Sequence, residues 1–245
     1  MRAGDGEYDQ GKKLGEGDIY ELYIGNKNYS SWSLRPWVLM RELDIPFRET
    51  LVRFSPTRHE DYLKFSPSGK VPCLDDHGTI VWDSLAITEY LAERYSRVWP
   101  VDPEARAYAR CAAVEMHSGF STLRSMCGMN CGVRIELIEE TPALIADLER
   151  MTKLWEEGIS RFGGPFLAGR RFTAADAFFC PVAFRAQTYN ILTEGVAGHY
   201  VQTLLDLTAM REWYNAALAE TFRDPPHEAD IEKYGKLTAD FRLTA

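Results

Sequence analysis

The sequence lacks the short motifs by which many enzyme classes are recognised. It contains neither G-x-G-x-x-G nor G-x-x-x-x-G-K-S/T, and it has no H-E-x-x-H and no G-x-S-x-G. Those motifs hold nucleotide phosphates, catalytic zinc or a nucleophilic serine. Apolar runs are also short, and none approaches the roughly 18 residues that a membrane-spanning helix needs. The sequence therefore gives no support for these enzyme classes, and we predict no membrane segment.

Cysteine is sparse and shows no pairing pattern. The chain has five cysteines and no C-x-x-C motif. An odd, low number favours the reduced thiols of a cytoplasmic protein over a disulfide framework, and no dithiol redox site is present. Cys127 and Cys131, with His117 upstream, lack the fourth ligand and the standard spacing of a zinc site. We therefore predict no metal.

Basic residues are outnumbered by acidic ones. Lysine and arginine total 28 against 36 aspartates and glutamates, which gives a formal net charge of −8. A protein that binds nucleic acid through a broad basic face needs the opposite balance, so no nucleic-acid partner is predicted. A small anionic substrate is compatible, because a local pocket can oppose the net charge. Residues 1–18 are rich in glycine and charge and lack the apolar region of a signal peptide, which predicts a flexible leader.

The first part of the chain alternates between strand and helix patterns. Aromatic and β-branched residues at 19–25 and rough alternation at 47–54 predict strands, and the spacing of 34–43 predicts a helix with Pro36 in its first turn. A loop with about one helical turn follows, then two short strands joined by a turn and a helix over 84–95. The order β-α-β-α-β-β-α predicts an α/β domain over 19–97.

Prolines mark the boundary of this domain. Pro100 and Pro103 make a continuous helix across the stretch unfavourable. Beyond them the helical periodicity predicts an all-helical domain over 104–245, in the segments 104–126, 142–161, 174–190 and, more weakly, 200–220. Thr173 and Asp176 form a capping-box pattern before the third of these helices, and its role is expected to be structural.

Three motifs in this order resemble the cytosolic glutathione transferase family. "SSWSLRPW" is similar to the serine-rich helix start of its serine-type (zeta-, theta- or tau-like) members, "SGKVPCL" to its Gly-x-Val-Pro-x-Leu segment, and "DSLAITEYL" to its Glu/Asp-Ser-x-Ala-Ile-x-x-Tyr-Leu helix start. Residues 115–130 also resemble a bacterial subgroup, with Gly128 where that pattern has proline. The resemblance covers about residues 19–222. The tail beyond it could either pack back on the domain or remain mobile. The resemblance implies a thioredoxin-like N-terminal domain, an all-α C-terminal domain, glutathione as co-substrate without a metal, and a homodimer.

Serine at the start of a helix suits the activation of a thiol. A free cysteine thiol has a pKa of ~8.5 and is mostly protonated at neutral pH, whereas the thiolate is the nucleophile. A hydroxyl that donates to the sulfur and a helix N-terminus both favour the thiolate. By its match to the family motif, Ser30 is expected to have this role, with Ser31 beside it and Ser33 as the helix cap. The alternative is that all three serines only cap the helix or face solvent, and Arg35 is expected to pair with an acid or to reach solvent.

The resemblance also implies how glutathione is held. A cis peptide bond at Val71-Pro72 would turn the Val71 backbone toward the tripeptide, in the manner of strand addition. Asp83 and Ser84 start a helix whose free N–H groups suit the γ-glutamyl carboxylate, and Asp83 can instead meet the ammonium group, directly or across a dimer interface. The alternatives are an ordinary trans proline, helix capping and solvated surface side chains. Candidates for the glycine carboxylate are His59 and Lys70.

A second substrate is expected between the domains, because clefts at domain junctions favour ligand sites. Its candidate contacts are Trp32, His117, Phe120 and Arg124, the last three spaced along one face of the 104–126 helix. An aromatic ring and a cation would suit an apolar electrophile that carries an acidic group. A stripe that contains phenylalanine is also typical of a protein core, which is the alternative.

The sequence thus predicts a glutathione S-transferase, in which the thiolate attacks a small electrophile and a thioether is released. One alternative is glutathione-dependent cis-trans isomerisation of a diacid of the maleylacetoacetate type, although zeta-like members have cysteine where Trp32 stands. The other is a catalytically silent glutathione-binding protein of the same fold. No cysteine lies within 28–36, which disfavours a reductase that works through a mixed disulfide.

Overall fold

A four-stranded mixed sheet forms the centre of the N-terminal domain. Its strands are β1 (Tyr20–Ile24), β2 (Phe47–Leu51), β3 (Cys73–Asp76) and β4 (Thr79–Val81), in the order β2-β1-β3-β4. β1 pairs in parallel with β2 and antiparallel with β3, and β3 pairs antiparallel with β4. The computed structural model that shows this sheet describes residues 19–243, so the leader predicted for 1–18 lies outside the described residues.

Three helices complete the N-terminal domain: α1 (Ser31–Glu42), α2 (Arg58–Tyr62) and α3 (Ser84–Ala92). The helix α1 connects the parallel strands β1 and β2, as the right-handed β-α-β unit requires. A tight turn at His77 and Gly78, both with positive φ, joins β3 to β4. The predicted order β-α-β-α-β-β-α and the thioredoxin-like α/β fold are confirmed.

The helix α1 begins earlier than predicted, and Pro36 does not lie in its first turn. The N–H groups of Tyr29 and Ser30 both donate to the carbonyl of Asn26, and this turn leads the chain into α1 at Ser31. Pro36 is therefore inside the helix, where its missing N–H removes one hydrogen bond to the preceding turn. Burial compensates for this loss, because most of α1 is packed in the core.

The second part of the chain folds into a helical domain, as predicted. Its helices are α4 (Pro103–Ser118), α5 (Ser121–Met126), α6 (Pro142–Phe162), α7 (Ala174–Tyr189), α8 (Gly195–Leu205), α9 (Thr208–Ala219) and α10 (Pro225–Tyr234). The helix α7 is buried along nearly all of its length and packs against α1, α4 and α8. The apolar core is therefore continuous across both domains. Within residues 19–243, no helix combines the length and the apolar character needed to cross a membrane.

Two features of the helical domain depart from the predicted pattern. The helix expected over 104–126 is broken at Gly119 and Phe120, because Phe120 takes a left-handed conformation with a φ of 52°. A two-stranded antiparallel sheet, β5 (Val133–Leu137) with β6 (Gly235–Asp240), is added to the helices. Of the two outcomes left open for the tail, the structure shows the first: residues 225–243 pack back on the domain.

Thr173 and Asp176 start the central helix as the capping-box pattern predicts. The Asp176 carboxylate accepts the N–H of Thr173 at 2.9 Å, the N–H of Leu167 at 2.9 Å and the hydroxyl of Tyr200 at 2.8 Å. Burial raises the pKa of Asp176, and these hydrogen bonds oppose the rise. The motif fixes where α7 begins and so places every side chain that α7 presents to α1.

The segment before α1 is held by the helical domain. The indole N–H of Trp213 donates to the Lys27 carbonyl at 2.8 Å, and the Asn28 side-chain amide donates to the Ala217 carbonyl at 2.6 Å. The N–H of Cys131 donates to the Asn28 carbonyl at 3.2 Å. Because these bonds reach both α9 and the chain before β5, the start of α1 has a fixed position against the helical domain.

Candidate functional site

A cavity of about 730 Å³ lies between the start of α1 and the helical domain. The N-terminal domain contributes to its walls Ser30, Ser31, Trp32, His59, Lys70 and Val71. The helical domain contributes residues that include Ser121, Arg124, Met129, Arg185, His227 and Asp230. The cavity thus brings together residues predicted for glutathione with two predicted for the second substrate, Trp32 and Arg124. The predicted site residues that lie outside its walls are Pro72, Asp83, Ser84, His117 and Phe120.

Ser30 precedes α1, and its hydroxyl donates a hydrogen bond of 2.7 Å to Ser33 Oγ. Ser33 Oγ also accepts the N–H of Gly25, at 3.1 Å. The prediction that Ser33 caps the helix is wrong, because the helix begins two residues before Ser33 and the N-cap position is that of Ser30. Ser33 instead connects the end of β1 to the Ser30 hydroxyl at the cavity wall.

Ser31 is the first residue of α1, and it lies at the cavity wall with 8% of its surface exposed. Its N–H donates to the Tyr29 carbonyl. Within the part of the chain that the structure describes, its hydroxyl has no hydrogen-bond partner. The N–H groups in the first turn of an α-helix also lack helical partners. The start of α1 therefore presents an unengaged hydroxyl, and with it the positive end of a helix dipole, to the cavity.

The segment before β3 forms a second wall. The peptide bond Val71-Pro72 is cis, as the resemblance implied, and Val71 lines the cavity while Pro72 is buried beside it. Lys70 and His59 also line the cavity and are exposed. Gly69 has a φ of 61°, and an added Cβ would lie 2.2 Å from His59 Nδ1, so only glycine fits beside this imidazole.

Asp83 and Ser84 form the start of α3 rather than the cavity wall. Asp83 Oδ1 accepts the N–H of Leu85 at 2.9 Å, which confirms Asp83 as the helix cap. Ser84 is fully buried and its hydroxyl lies 3.5 Å from Asp83 Oδ1. The other carboxylate oxygen of Asp83 lies 3.8 Å from His117 Nε2. Their part in glutathione binding stays a prediction.

His117 and Phe120 are not placed as the sequence predicted. Since α4 ends at Ser118, the two residues and Arg124 do not share one continuous helical face. The Phe120 side chain belongs to the core, with 6% of its surface exposed. His117 packs edge-on against Trp32, with ring centres 5.2 Å apart. Burial lowers the pKa of His117, Asp83 opposes this effect, and Arg35 and Arg124 add to it.

Trp32 is in contact with two arginines. The guanidinium carbons of Arg35 and Arg124 lie 4.2 Å and 4.7 Å from the centre of its ring. Arg124 also donates to the His117 carbonyl at 3.1 Å. The expectation that Arg35 pairs with an acid or reaches solvent is wrong: 2% of its surface is exposed, and it packs on Phe178 as well as on Trp32. It is buried because α1 faces α7 at this position.

Sequence reasoning missed Arg185, which reaches the cavity from α7. Its Nε atom donates to the Cys127 carbonyl at 2.7 Å, and 5% of its surface is exposed. Burial lowers its pKa to about 10. An arginine in the otherwise apolar helix "AADAFFCPVAFRAQTY" was the available signal, because an unpaired charge in a buried helix is unusual.

The sequence also gave no indication of the wall that α10 forms. His227 stacks on Tyr29 and Phe54, with ring centres 4.9 Å and 5.4 Å apart, and its Nδ1 atom contacts the buried carboxylate of Asp224. Arg242 anchors this wall: it donates to Glu228 at 2.6 Å and to Asp240 at 2.7 Å. Glu228 in turn accepts the Tyr29 hydroxyl at 2.7 Å. The residues next to Ser30 are thereby tied to the C-terminal segment.

The described residues bring no cysteine to the cavity walls. All five cysteines are free, and all but Cys111 are buried. Burial raises the pKa of Cys73 to about 11 and that of Cys127 to about 12, so both are poor nucleophiles at neutral pH. Across residues 19–243 no group of three or more histidine, cysteine or acidic side chains is placed to hold a metal ion.

Comparison with known proteins identifies the N-terminal domain. Residues 29–94 match the family model described as "Glutathione S-transferase, N-terminal domain". This stretch of the chain is therefore similar to the N-terminal domain of glutathione S-transferases. The glutathione S-transferase-like protein OpS6 of Beauveria bassiana is 24% identical over 66% of this chain and 76% of its own length. A probable maleylacetoacetate isomerase of Caenorhabditis elegans is 26% identical over 69% of this chain and 80% of its own length.

The likeness extends over both domains in solved structures. A glutathione transferase homologue from Burkholderia, crystallised with bound glutathione, superimposes with a TM-score of 0.61 at 20% identity. The match covers 82% of this chain and 98% of the homologue. At this identity the likeness shows the fold alone. The protein therefore has the glutathione S-transferase fold, a thioredoxin-like domain followed by a helical domain, with the cavity at their junction.

Proposed function

We propose that the protein is a serine-type glutathione S-transferase, which ionises the thiol of bound glutathione and directs it at a small electrophile. The observation that carries the proposal is the position of the Ser30 and Ser31 hydroxyls, at the start of α1 and at the wall of the cavity between the domains. The cavity walls hold no cysteine among the described residues, so a reactive sulfur has to arrive with the ligand.

Glutathione is proposed to lie along the N-terminal wall of the cavity. The backbone of Val71 pairs with the tripeptide as an added strand, and His59 and Lys70 meet its glycine carboxylate. The γ-glutamyl group reaches the start of α3, where Ser84 and the free N–H groups of the helix bind its carboxylate and Asp83 meets its ammonium. This orientation directs the sulfur toward the start of α1.

Two hydroxyls and a helix N-terminus then favour the thiolate. Ser33 Oγ accepts the N–H of Gly25 at 3.1 Å and the Ser30 hydroxyl at 2.7 Å. When a thiolate arrives, the Ser30 hydroxyl turns from Ser33 to donate to the sulfur, and the Ser33 hydroxyl becomes free to donate to Ser30 Oγ. Ser31 supplies a second donor. Hydrogen bonds to the charged form and the helix dipole both lower the pKa of the thiol.

The conjugation step follows from this ionisation. The thiol proton passes to solvent, the sulfur uses an electron pair to form a bond to the electrophilic carbon, and the group displaced from that carbon leaves with its bonding pair. A decrease of about two units in the pKa of the thiol corresponds to roughly 2.7 kcal/mol in favour of the thiolate. At neutral pH this change makes the thiolate the predominant form of a thiol with a free pKa of ~8.5.

A titration of bound glutathione tests the proposal. The ultraviolet absorbance of the thiolate is followed against pH in the binary complex, for the wild type and for Ser30→Ala and Ser31→Ala. We expect the thiol pKa of glutathione bound to the wild type to be about two units below that of free glutathione. In each variant we expect a smaller decrease of this pKa. A bound thiol that ionises no more readily than free glutathione would overturn the proposal.

Turnover assays separate the two alternative functions. A glutathione-dependent cis-trans isomerase is supported by the likeness to a probable maleylacetoacetate isomerase. A catalytically silent binding protein is supported by no particular contact, but the same site would serve it. Halo-aromatics, epoxides, hydroperoxides and maleylacetone form the test panel. Turnover of maleylacetone alone favours the isomerase, and retention on a glutathione resin without any turnover favours the silent binder.

We further propose that the protein is a cytoplasmic homodimer. The five free cysteines support a reducing compartment. The dimer is supported by the resemblance to glutathione S-transferases, and Trp82, beside Asp83, leaves an exposed aromatic side chain near the start of α3. Sedimentation analysis of the purified chain gives the oligomeric state, and a single monomeric species at micromolar concentration would contradict this part of the proposal.

A further inference from the structure

Arg35 is a buried cation that forms no ion pair with any residue in the described range 19–243. Its Nε and Nη1 atoms are buried and have no hydrogen-bond partner among the described residues. Burial, together with the nearby charges of Arg185 and Arg124, lowers its pKa to about 9, and the charge of Asp83 opposes this effect. Charged side chains in protein interiors are normally paired, because removing an isolated charge from water is costly. The local sequence therefore places an unpaired positive charge beside Trp32, a residue of the cavity wall.

Arg124 and Arg185 bring two further cations to the same cavity. The polar partners of both side chains are carbonyl oxygens, of His117 and Cys127, and not carboxylates. The Nη1 atom of Arg185 is buried without any partner within residues 19–243. Burial lowers the pKa of both residues, as expected for cations that lack a neutralising anion. Guanidinium groups from α5 and α7 thus line the cavity, and that of Arg35, from α1, packs on Trp32 of the cavity wall.

Arg242, another buried arginine, is paired with carboxylates. Arg242 has only 3% of its side chain exposed, and it forms ion pairs with Glu228 at 2.6 Å and with Asp240 at 2.7 Å. The whole chain carries a net charge of −8, so the lack of ion pairs at Arg35, Arg124 and Arg185 does not come from a shortage of acidic residues. Asp230 also lines the cavity, but within the described residues it forms no ion pair with the arginines. Among residues 19–243, no carboxylate forms an ion pair with Arg35, Arg124 or Arg185.

We propose that this wall is a carboxylate subsite and that the second substrate is a small electrophile that carries a carboxylate. Arg124 and Arg185 bind the carboxylate, and the positive charge of Arg35, on the Trp32 ring, adds to the attraction. A guanidinium group can bind a carboxylate with two parallel hydrogen bonds, and such bonds are strong where water is excluded. The ring of Trp32 offers a flat apolar surface for the body of the electrophile. The reaction in this proposal rests on the transferase activity proposed above, whereas carboxylate binding does not.

A pair of electrophiles that differ in one group tests the reaction. A chlorodinitrobenzoate and the chlorodinitrobenzene that lacks only its carboxylate undergo the same step: the glutathione sulfur bonds to the ring carbon, chloride leaves with the bonding pair and the thiol proton passes to solvent. The readout is the ratio of their kcat/KM values, divided by the ratio of their uncatalysed rates with glutathione. We expect this ratio to favour the benzoate by about tenfold or more, the value of one hydrogen bond to a charged group.

Variants show whether the arginines are responsible. Arg124→Gln is expected to lower the ratio by about tenfold, and Arg124→Lys by less, because lysine keeps the charge but loses the planar pair of donors. Arg211→Gln is the matched control, since it removes one positive charge from an exposed pair with Asp206 and is expected to leave the ratio unchanged. Because a ratio is measured, a general loss of folded protein does not mimic the effect. A wild-type ratio near one, or a ratio that Arg124→Gln leaves unchanged, would overturn the proposal.

Binding measured without turnover separates this proposal from the transferase activity. Calorimetric titration compares a dinitrobenzoate with dinitrobenzene, neither of which has a leaving chloride, in the presence and absence of S-methylglutathione. We expect the benzoate to bind more tightly, Arg124→Gln to remove the difference and S-methylglutathione to leave it in place. If neither chlorinated compound is turned over but this preference holds, the transferase proposal fails and the subsite stands. If S-methylglutathione displaces the benzoate, the arginines hold the carboxylates of glutathione and the subsite proposal fails.

Discussion

The Ser30 hydroxyl is connected through Ser33 to a backbone N–H. Ser30 Oγ lies 2.7 Å from Ser33 Oγ, and Ser33 Oγ accepts the N–H of Gly25 at 3.1 Å. A chain of hydrogen bonds polarises its members, so the N–H of Gly25 strengthens Ser30 as a donor when a thiolate is bound. Ser33 is fully buried and does not line the cavity. It is therefore a positioning residue in the proposed reaction.

Ser33→Ala is expected to raise the pKa of bound glutathione by about 0.5 to 1 unit, which matches the loss of about 1 kcal/mol from a neutral hydrogen bond. The thiolate absorbance of the binary complex gives the measurement. The double variant Ser30→Ala with Ser33→Ala provides the control, because Ser33 acts only through Ser30. If Ser33→Ala has its full effect on the pKa in the absence of the Ser30 hydroxyl, the connection between the two residues is wrong.

Gly69→Ala is expected to weaken glutathione binding. Its φ of 61° strains any residue with a side chain, and the added Cβ would meet His59 Nδ1 at 2.2 Å, so the imidazole has to move from the cavity wall. We expect a loss of roughly 1–2 kcal/mol in stability together with a higher KM for glutathione. Gly78→Ala is the matched control: its φ of 94° carries backbone strain, but nothing lies within 4 Å of an added Cβ. Equal KM values for the two variants would contradict the role of this wall.

His117 predicts a dependence of stability on pH. Burial lowers its pKa below the ordinary 6.5, so the unfolded chain binds a proton that the folded chain does not. The stability it contributes is present above the unfolded pKa of 6.5 and is lost as the pH falls through the lower pKa of the folded state. His117→Gln is expected to remove this part of the acid destabilisation. Urea unfolding of both proteins across this pH window checks it, and parallel curves would show that His117 does not contribute.

Arg242→Gln is expected to destabilise the C-terminal segment. It removes both ion pairs of a nearly buried side chain and leaves Glu228 and Asp240 without their partner. Because these carboxylates are partly exposed, we expect a loss of about 1–3 kcal/mol, less than for a fully buried pair. Arg211→Gln, which breaks an exposed pair with Asp206, should cost less than about 0.5 kcal/mol. Urea unfolding measures both changes, and similar losses in the two variants would contradict this account.

The elements of the N-terminal domain could be predicted because their signals are local. Alternating apolar residues in the strands and the cap at Asp83 depend on neighbours in the chain, as does the capping box at Thr173 in the helical domain. The start of α1 was predicted too late, because the turn from Asn26 to Ser30 is held by the helical domain. The pairing of β5 with β6 joins segments about a hundred residues apart, for example Val133 with Asp240, and no local pattern reports it.

The candidate site was predicted in part for the same reason. Ser30, Ser31, Lys70 and Val71 belong to motifs that can be read along the chain, and the structure places them at one cavity. The helical wall is different, because Arg185 reaches the cavity only through the packing of α7 on α1. Phe120 was misplaced because its left-handed backbone ends the expected helical face, and a single phenylalanine gives no warning of that conformation.

Glu228 binds both Arg242 and the Tyr29 hydroxyl, and this connection between the two ends of the described chain has a consequence for biosynthesis. Tyr29 and Ser30 leave the ribosome early, but the wall that holds His227 and Asp230 is made of residues that emerge after nearly all other described ones. The wall of the cavity is therefore incomplete in a nascent chain until α10 docks. A protease that cuts in the connection after α9 would leave α10 and β6 attached only by non-covalent contacts, among them the pairing of β6 with β5 and the hydrogen bond from Tyr29 to Glu228.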